Sequence, residues 1–136
     1  MSFYLSINAV QNPFPLGADD NDRALFYCNY NATGEAPIDT FELDLAQILS
    51  LAHLGTQYVN IFIGSVIPAP IGQGPFITII GTGGMAAQTT HRNGSKLQYL
   101  SAQIIVRGSD YDTTQAKAFA VWGALDNKYN ITLGGD

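Results

Sequence analysis

Cysteine is nearly absent: Cys28 stands alone in 136 residues, so no disulfide can close within the chain. His53 and His91 are the only histidines, which leaves a zinc site of the usual Cys/His kind short of ligands. Cations are scarce as well. Six Lys and Arg face eleven Asp and Glu, a formal net charge of -5, which argues against binding nucleic acid by general phosphate attraction. No apolar run reaches the roughly 18 residues that a membrane-spanning helix needs. Met1 is followed by Ser2, Phe3, Tyr4 and Leu5 without a basic segment, so neither a membrane span nor a signal peptide is expected. Asn-x-Ser/Thr triplets at Asn31, Asn93 and Asn130 are then read as chance.

What is present points to a folded domain. Hydrophobic residues make up 46% and charged residues 12%, a composition that excludes a disordered tail. So little charge implies that much of the surface is covered by something other than water, which suggests assembly. The length suits a single domain, 1–136, with a strand–loop–strand segment over 1–37 and a helix–strands–helix core over 38–136.

Phe3, Leu5, Ile7 and Ala9 alternate with Tyr4, Ser6 and Asn8, the period of a half-buried strand. Prolines, a glycine and an acidic cluster make 13–22 a surface loop. Ala24–Tyr30 is expected as a second strand with Phe26, Cys28 and Tyr30 on one face, and Asn31–Pro37 as a turn or linker. Cys28 there reads as a small buried side chain. Tyr58–Ile63, Phe76–Ile80, Leu100–Arg107 and Tyr129–Leu133 follow as strands, the stretch at 100–107 being the longest. The loop 68–75 is expected to be exposed, and 85–95 to be irregular with a tight turn at Asn93 and Gly94.

Two helices are expected. Asp39 stands three residues before Glu42, the spacing of a capping box, and Phe41, Leu45, Ile48, Leu49 and Ala52 form an apolar face over about 40–54. Gly55 is the expected left-handed terminator, with His53 in the last turn. Asp112 and Gln115 repeat the capping spacing with Tyr111 as staple, giving a second helix near 113–126. Its faces are nearly all apolar, so both sides are expected to be covered. The fold class is therefore α/β of the α+β type: one mainly antiparallel or mixed sheet of about five to seven strands, with two helices packed on one face.

Chemical motifs are weak. Gly81, Thr82, Gly83 and Gly84 follow a strand, but no helix pattern follows them and the phosphate-loop lysine is missing. Cys28, His91 and Asp112 could form a triad by residue type alone, without a nucleophile motif. Asp19, Asp20 and Asp22 lack the order of a calcium loop and read as a solvated surface. No cofactor or metal is expected.

The order helix, strand, proline-containing loop, strand ending Thr82, Gly83, Gly84, then strand ending Val106, Arg107, Gly108 with Tyr111 beyond, then an Ala-rich helix, resembles the phage minor capsid or tail terminator family. The matching residues include Gln103–Arg107, Ala116, Ala120 and Leu125, and the resemblance covers about 38–126. In that family a Pro, Gly, Asp and Arg pattern precedes a last strand after the second helix. Here Pro15, Gly17, Asp19 and Arg23, with the strand at Ala24–Tyr30, stand near Met1 instead, so the order looks circularly permuted. The segment 131–136 joined to Met1–Leu5 would make two alternating strands around Gly134, Gly135 and Asp136. The two ends of the chain are accordingly expected to be spatial neighbours.

The resemblance implies a non-enzymatic virion protein at the tail–neck junction, made in the host cytoplasm. It would form a homo-oligomeric ring, a hexamer, that caps the tail tube and joins it to the head–tail connector or stopper. DNA would pass through without specific binding, which suits acidic lining, and Asp19, Asp20 and Asp22 are the candidates to face the channel. Pro68, Pro70, Ile71, Met85, His91, Arg92 and Arg107 are candidates to contact partners, and Tyr4, Tyr58 and Tyr99 look like exposed aromatics at subunit contacts. Two other readings stand beside this one: a capsid decoration or adaptor protein, and a small hydrolase using Cys28 or His91.

Overall fold

Alternation in two long segments builds the frame of the molecule. In the computed structural model, which describes residues 2–18, 24–35, 38–55, 60–64, 75–83, 88–89 and 96–133, the elements in chain order are β1 (Ser2–Ala9), β2 (Phe14–Ala18), β3 (Ala24–Glu35), α1 (Phe41–Leu51), β4 (Ile61–Ile63), β5 (Phe76–Gly83), β6 (Gln88–Thr89), β7 (Lys96–Gly108), α2 (Tyr111–Leu125) and β8 (Lys128–Leu133). β3 and β7 pair antiparallel from Ala24 opposite Gly108 to Glu35 opposite Leu97 without a register shift. Every second residue from Phe26 to Ala32 on β3 and from Ala102 to Val106 on β7 is buried: Phe26, Cys28, Tyr30 and Ala32, and Ala102, Ile104 and Val106.

One mixed sheet grows from this pair in the order β4-β5-β7-β3-β1-β8, with β2 also beside β3 and β6 also beside β7. β1 and β2 run along the same edge of β3, opposite Tyr30–Gly34 and Ala24–Tyr27 respectively, and are separated by a break at Val10–Pro13. β5 and β6 both pair with β7, opposite Ser101–Arg107 and Lys96–Leu97 respectively. Only β4 and β5 are parallel. β8 closes on β1, and Ser2 lies directly opposite Leu133. The first and last described residues are thus cross-strand neighbours, as the hairpin pattern in the sequence anticipates.

Both helices pack on the face that carries Phe26, Ile104 and Ile79. α2 presents Thr114, Ala118, Val121 and Leu125, spaced four, three and four residues apart, to β3 and β7. α1 buries Phe41, Leu45, Ala46 and Leu49 against β4 and β5. Each such fully buried Leu, Ile or Phe stabilises the fold by roughly 1.5–3 kcal/mol. Lys117 of α2 donates to the Leu54 carbonyl at 2.9 Å just after α1 and ties the helices together. The Tyr4 hydroxyl donates to Asp44 Oδ2 at 2.6 Å, fastening α1 to β1 in the interior.

Several boundaries differ from expectation. Phe14–Ala18 is a strand, because Pro15 lies on an edge strand, where its missing N–H does least harm. β3 continues through Asn31–Glu35, where pairing to both β1 and β7 overrides the turn-like composition. β5 extends to Gly83, and Gln88–Thr89 pairs with β7 rather than being irregular. The first helix has Thr40 at its N-cap and no capping box; the Thr40 hydroxyl donates to Asp44 Oδ2 instead. The second begins two residues early, with Asp110 at the N-cap accepting from the Thr113 N–H at 3.0 Å. The Thr113 hydroxyl, which donates to the same carboxylate at 2.7 Å, and then that N–H bond hold the Asp110 carboxyl below its usual range.

The terminator of α1 is His53, not Gly55. His53 has φ +62°, its N–H donates to the Ser50 carbonyl, and the Leu54 N–H donates to the Leu49 carbonyl, the two bonds of a Schellman motif. A side chain in this left-handed conformation is strained. His53→Gly is therefore expected to stabilise the fold by about 0.5–1 kcal/mol in urea unfolding, and a loss of stability would contradict this reading of the cap. Gly34→Ala should act in the opposite direction. A Cβ there falls on Ile38 Cδ1 and 2.9 Å from the Phe3 carbonyl oxygen, so the same assay should show a loss of about 1–3 kcal/mol.

Candidate functional site

With both helices on one face, the other face of the sheet has no helical layer over it among the described residues. Cross-strand register places Phe62, Thr78, Ile105, Tyr27 and Phe14 in one row across β4, β5, β7, β3 and β2. Phe76, Arg107 and Leu25 form the next row. Apart from Thr78 and Arg107, which are buried, the row residues are half-buried or, at Phe14, exposed. Their rings pair along the surface: Phe14 and Tyr27 at 4.0 Å between centroids, Phe62 and Phe76 at 6.4 Å. A row this apolar on a sheet face suits contact with another surface better than contact with water.

A second apolar surface lies on the outer side of α2. Ala116, Phe119, Ala120 and Gly123 are all exposed, with Phe119 at 40%, so one side of this helix is covered within the chain and the expected second cover is absent among the described residues. Tyr111, Leu43, Leu51, Val10 and Tyr129 are further exposed large apolar side chains. The sequence predicts the α2 residues as packing surface and Tyr111 as a staple, so their exposure is not anticipated. On α2 the signal was present, since Phe119 stands roughly opposite Ala118, Val121 and Leu125 on the helical wheel.

The residues expected to contact partners or line a channel are placed only in part. Asp19, Asp20, Asp22, Pro68, Pro70, Ile71, Met85, His91 and Arg92, together with Tyr58, lie outside the described residues. Arg107 is buried within the chain, with its guanidinium 5.9 Å from the centroid of the Phe76 ring. Tyr4 is wholly buried rather than exposed, because its hydroxyl has Asp44 to bond. Tyr99 is half-buried.

Cys28 lies beneath α2, lining a small cavity with Tyr30, Ile104, Ala118 and Val121. Its thiol donates to the Gln11 carbonyl at 3.0 Å. Burial pushes the thiol's pKa up, and it pushes the neighbouring Tyr30 hydroxyl up further. Asp112, by contrast, is exposed in the first turn of α2. The described part of the suggested Cys28, His91 and Asp112 set is therefore not assembled for proton transfer, and a thiol of raised pKa is a poor nucleophile. No group of three or more His, Cys, Asp or Glu side chains that could hold a metal occurs among the described residues.

The described glycines after β5's apolar run, Gly81 and Gly83, form no phosphate cradle either. Gly81 lies against the Glu42 carboxyl group, which puts an acid where a phosphate would need a donor. Glu42, Asp39, Gly81 and Ser101 line a cleft of about 190 Å³ at the start of α1. No helix among the described residues is long and apolar enough to cross a membrane. Comparison with protein-family models, with curated proteins and with solved structures finds no match to the chain.

Burial and the raised pKa together predict slow thiol chemistry. Cys28 in the native protein at pH 8 is expected to react with an aromatic disulfide reagent at least tenfold slower than in urea, and equal rates would show that the thiol is accessible.

Proposed function

We propose that this chain is a structural subunit that works by assembling with copies of itself into a closed ring. The ring caps a phage tail tube and connects it to the head–tail connector or stopper, as the tail terminator resemblance implies. The observation that carries this reading is the one-sided architecture. Both helices cover a single sheet face, while the row from Phe62 to Phe14 and the outer side of α2 offer apolar surface on opposite sides of the subunit. Two different patches on one protomer suit a heterologous contact, and heterologous contacts that close by rotation make rings.

Two further features support the same reading. The ladder that brings Ser2 opposite Leu133 makes β8 and β1 continuous in space, as a circularly permuted relative of the terminator fold requires. The scarcity of cations, six Lys and Arg of which Arg107 is buried, suits a channel through which DNA slides without being held. Asp19, Asp20 and Asp22 are proposed to line that channel, and the segments 66–75 and 85–95 to meet the tube and connector. The protein is proposed to act in the virion at the tail–neck junction, after synthesis in the host cytoplasm.

Native mass measurement with negative-stain imaging of the purified chain, alone and mixed with tail tubes, tests this. Rings with six-fold symmetry that seat on tube ends are the expected outcome. A monodisperse monomer at high concentration that ignores the tubes would contradict it, and single copies spread over a capsid shell would indicate decoration instead.

A further inference from the structure

We draw no further inference here: the strongest candidate, the cleft at the start of α1 lined by Asp39, Glu42, Gly81 and Ser101, is a helix N-terminus beside two acidic side chains, and nothing else in the structure points to a ligand for it.

Discussion

The pairing of β3 with β7 is the constraint on which the other elements depend. Over its whole length, from Ala24 opposite Gly108 to Glu35 opposite Leu97, the register never shifts. A slip by one residue would turn one strand's set away from the helices, either Phe26 and Tyr30 in exchange for Tyr27 and Asn29 or Ile104 and Val106 in exchange for Gln103 and Ile105. The cost of that exchange, large apolar side chains moved out of the core, is what keeps the register unique. Every other strand but the outermost, β4 and β8, pairs directly with one of these two: β1 and β2 with β3, β5 and β6 with β7. The break between β1 and β2 interrupts a flanking strand while the central ladder stays whole.

The helices are then held by a few specific contacts as well as by burial. Asp44 receives the Tyr4 hydroxyl at 2.6 Å, and a buried polar group left without such a partner costs about 1–3 kcal/mol. At the far end of α2, Asp126 Oδ1 accepts the Ala9 N–H at 2.8 Å, so the end of the helix satisfies a backbone donor where β1 reaches its break. Gln98 does similar work at the entry to α1: its side-chain amide both donates to and accepts from the Ile38 backbone. These bonds fix where each helix begins or ends over the sheet, while Leu45, Leu49, Val121 and Leu125 supply the apolar contact.

Much of this was legible in the amino-acid order. Period-two alternation located β1, β7 and the first half of β3, although on β1 a register shift between Tyr4 and Ser6 leaves Tyr4 buried and Leu5 exposed; helical spacing located both helices and the buried Phe41, Leu45 and Leu49 of α1, but not which side of α2 is covered. The second half of β3 was not legible, because Asn31, Thr33, Gly34 and Glu35 have turn-like composition and are held extended only by neighbours distant in sequence. Cap positions failed for a related reason. Asp39 with Glu42 and Asp112 with Gln115 have the right spacing, yet α1 has no side-chain cap at Thr40 and the Thr113 N–H of α2 is met by Asp110, and spacing alone does not reveal which carboxyl the fold places within reach. Tyr4 was misjudged as exposed because its polar end finds a buried acid 40 residues away, a contact that no local pattern encodes. Of the candidate residues, Cys28 is buried, as its place on the face of Phe26 and Tyr30 predicts, and Arg107 at the end of the longest strand lies against Phe76.

A scaffold of this kind keeps its strongest interactions at the centre and leaves apolar surface at its periphery, which is the distribution a repeating subunit needs if its own fold is to survive before assembly. Native-state amide hydrogen exchange tests the primacy of the central ladder most directly. The paired amides between Phe26 and Tyr30 and between Ala102 and Val106 should be the slowest in the molecule and exchange only through global unfolding, with opening free energies equal to the stability measured in denaturant. Amides of α1 or α2 that outlast them, or exchange within the ladder through local opening, would contradict it.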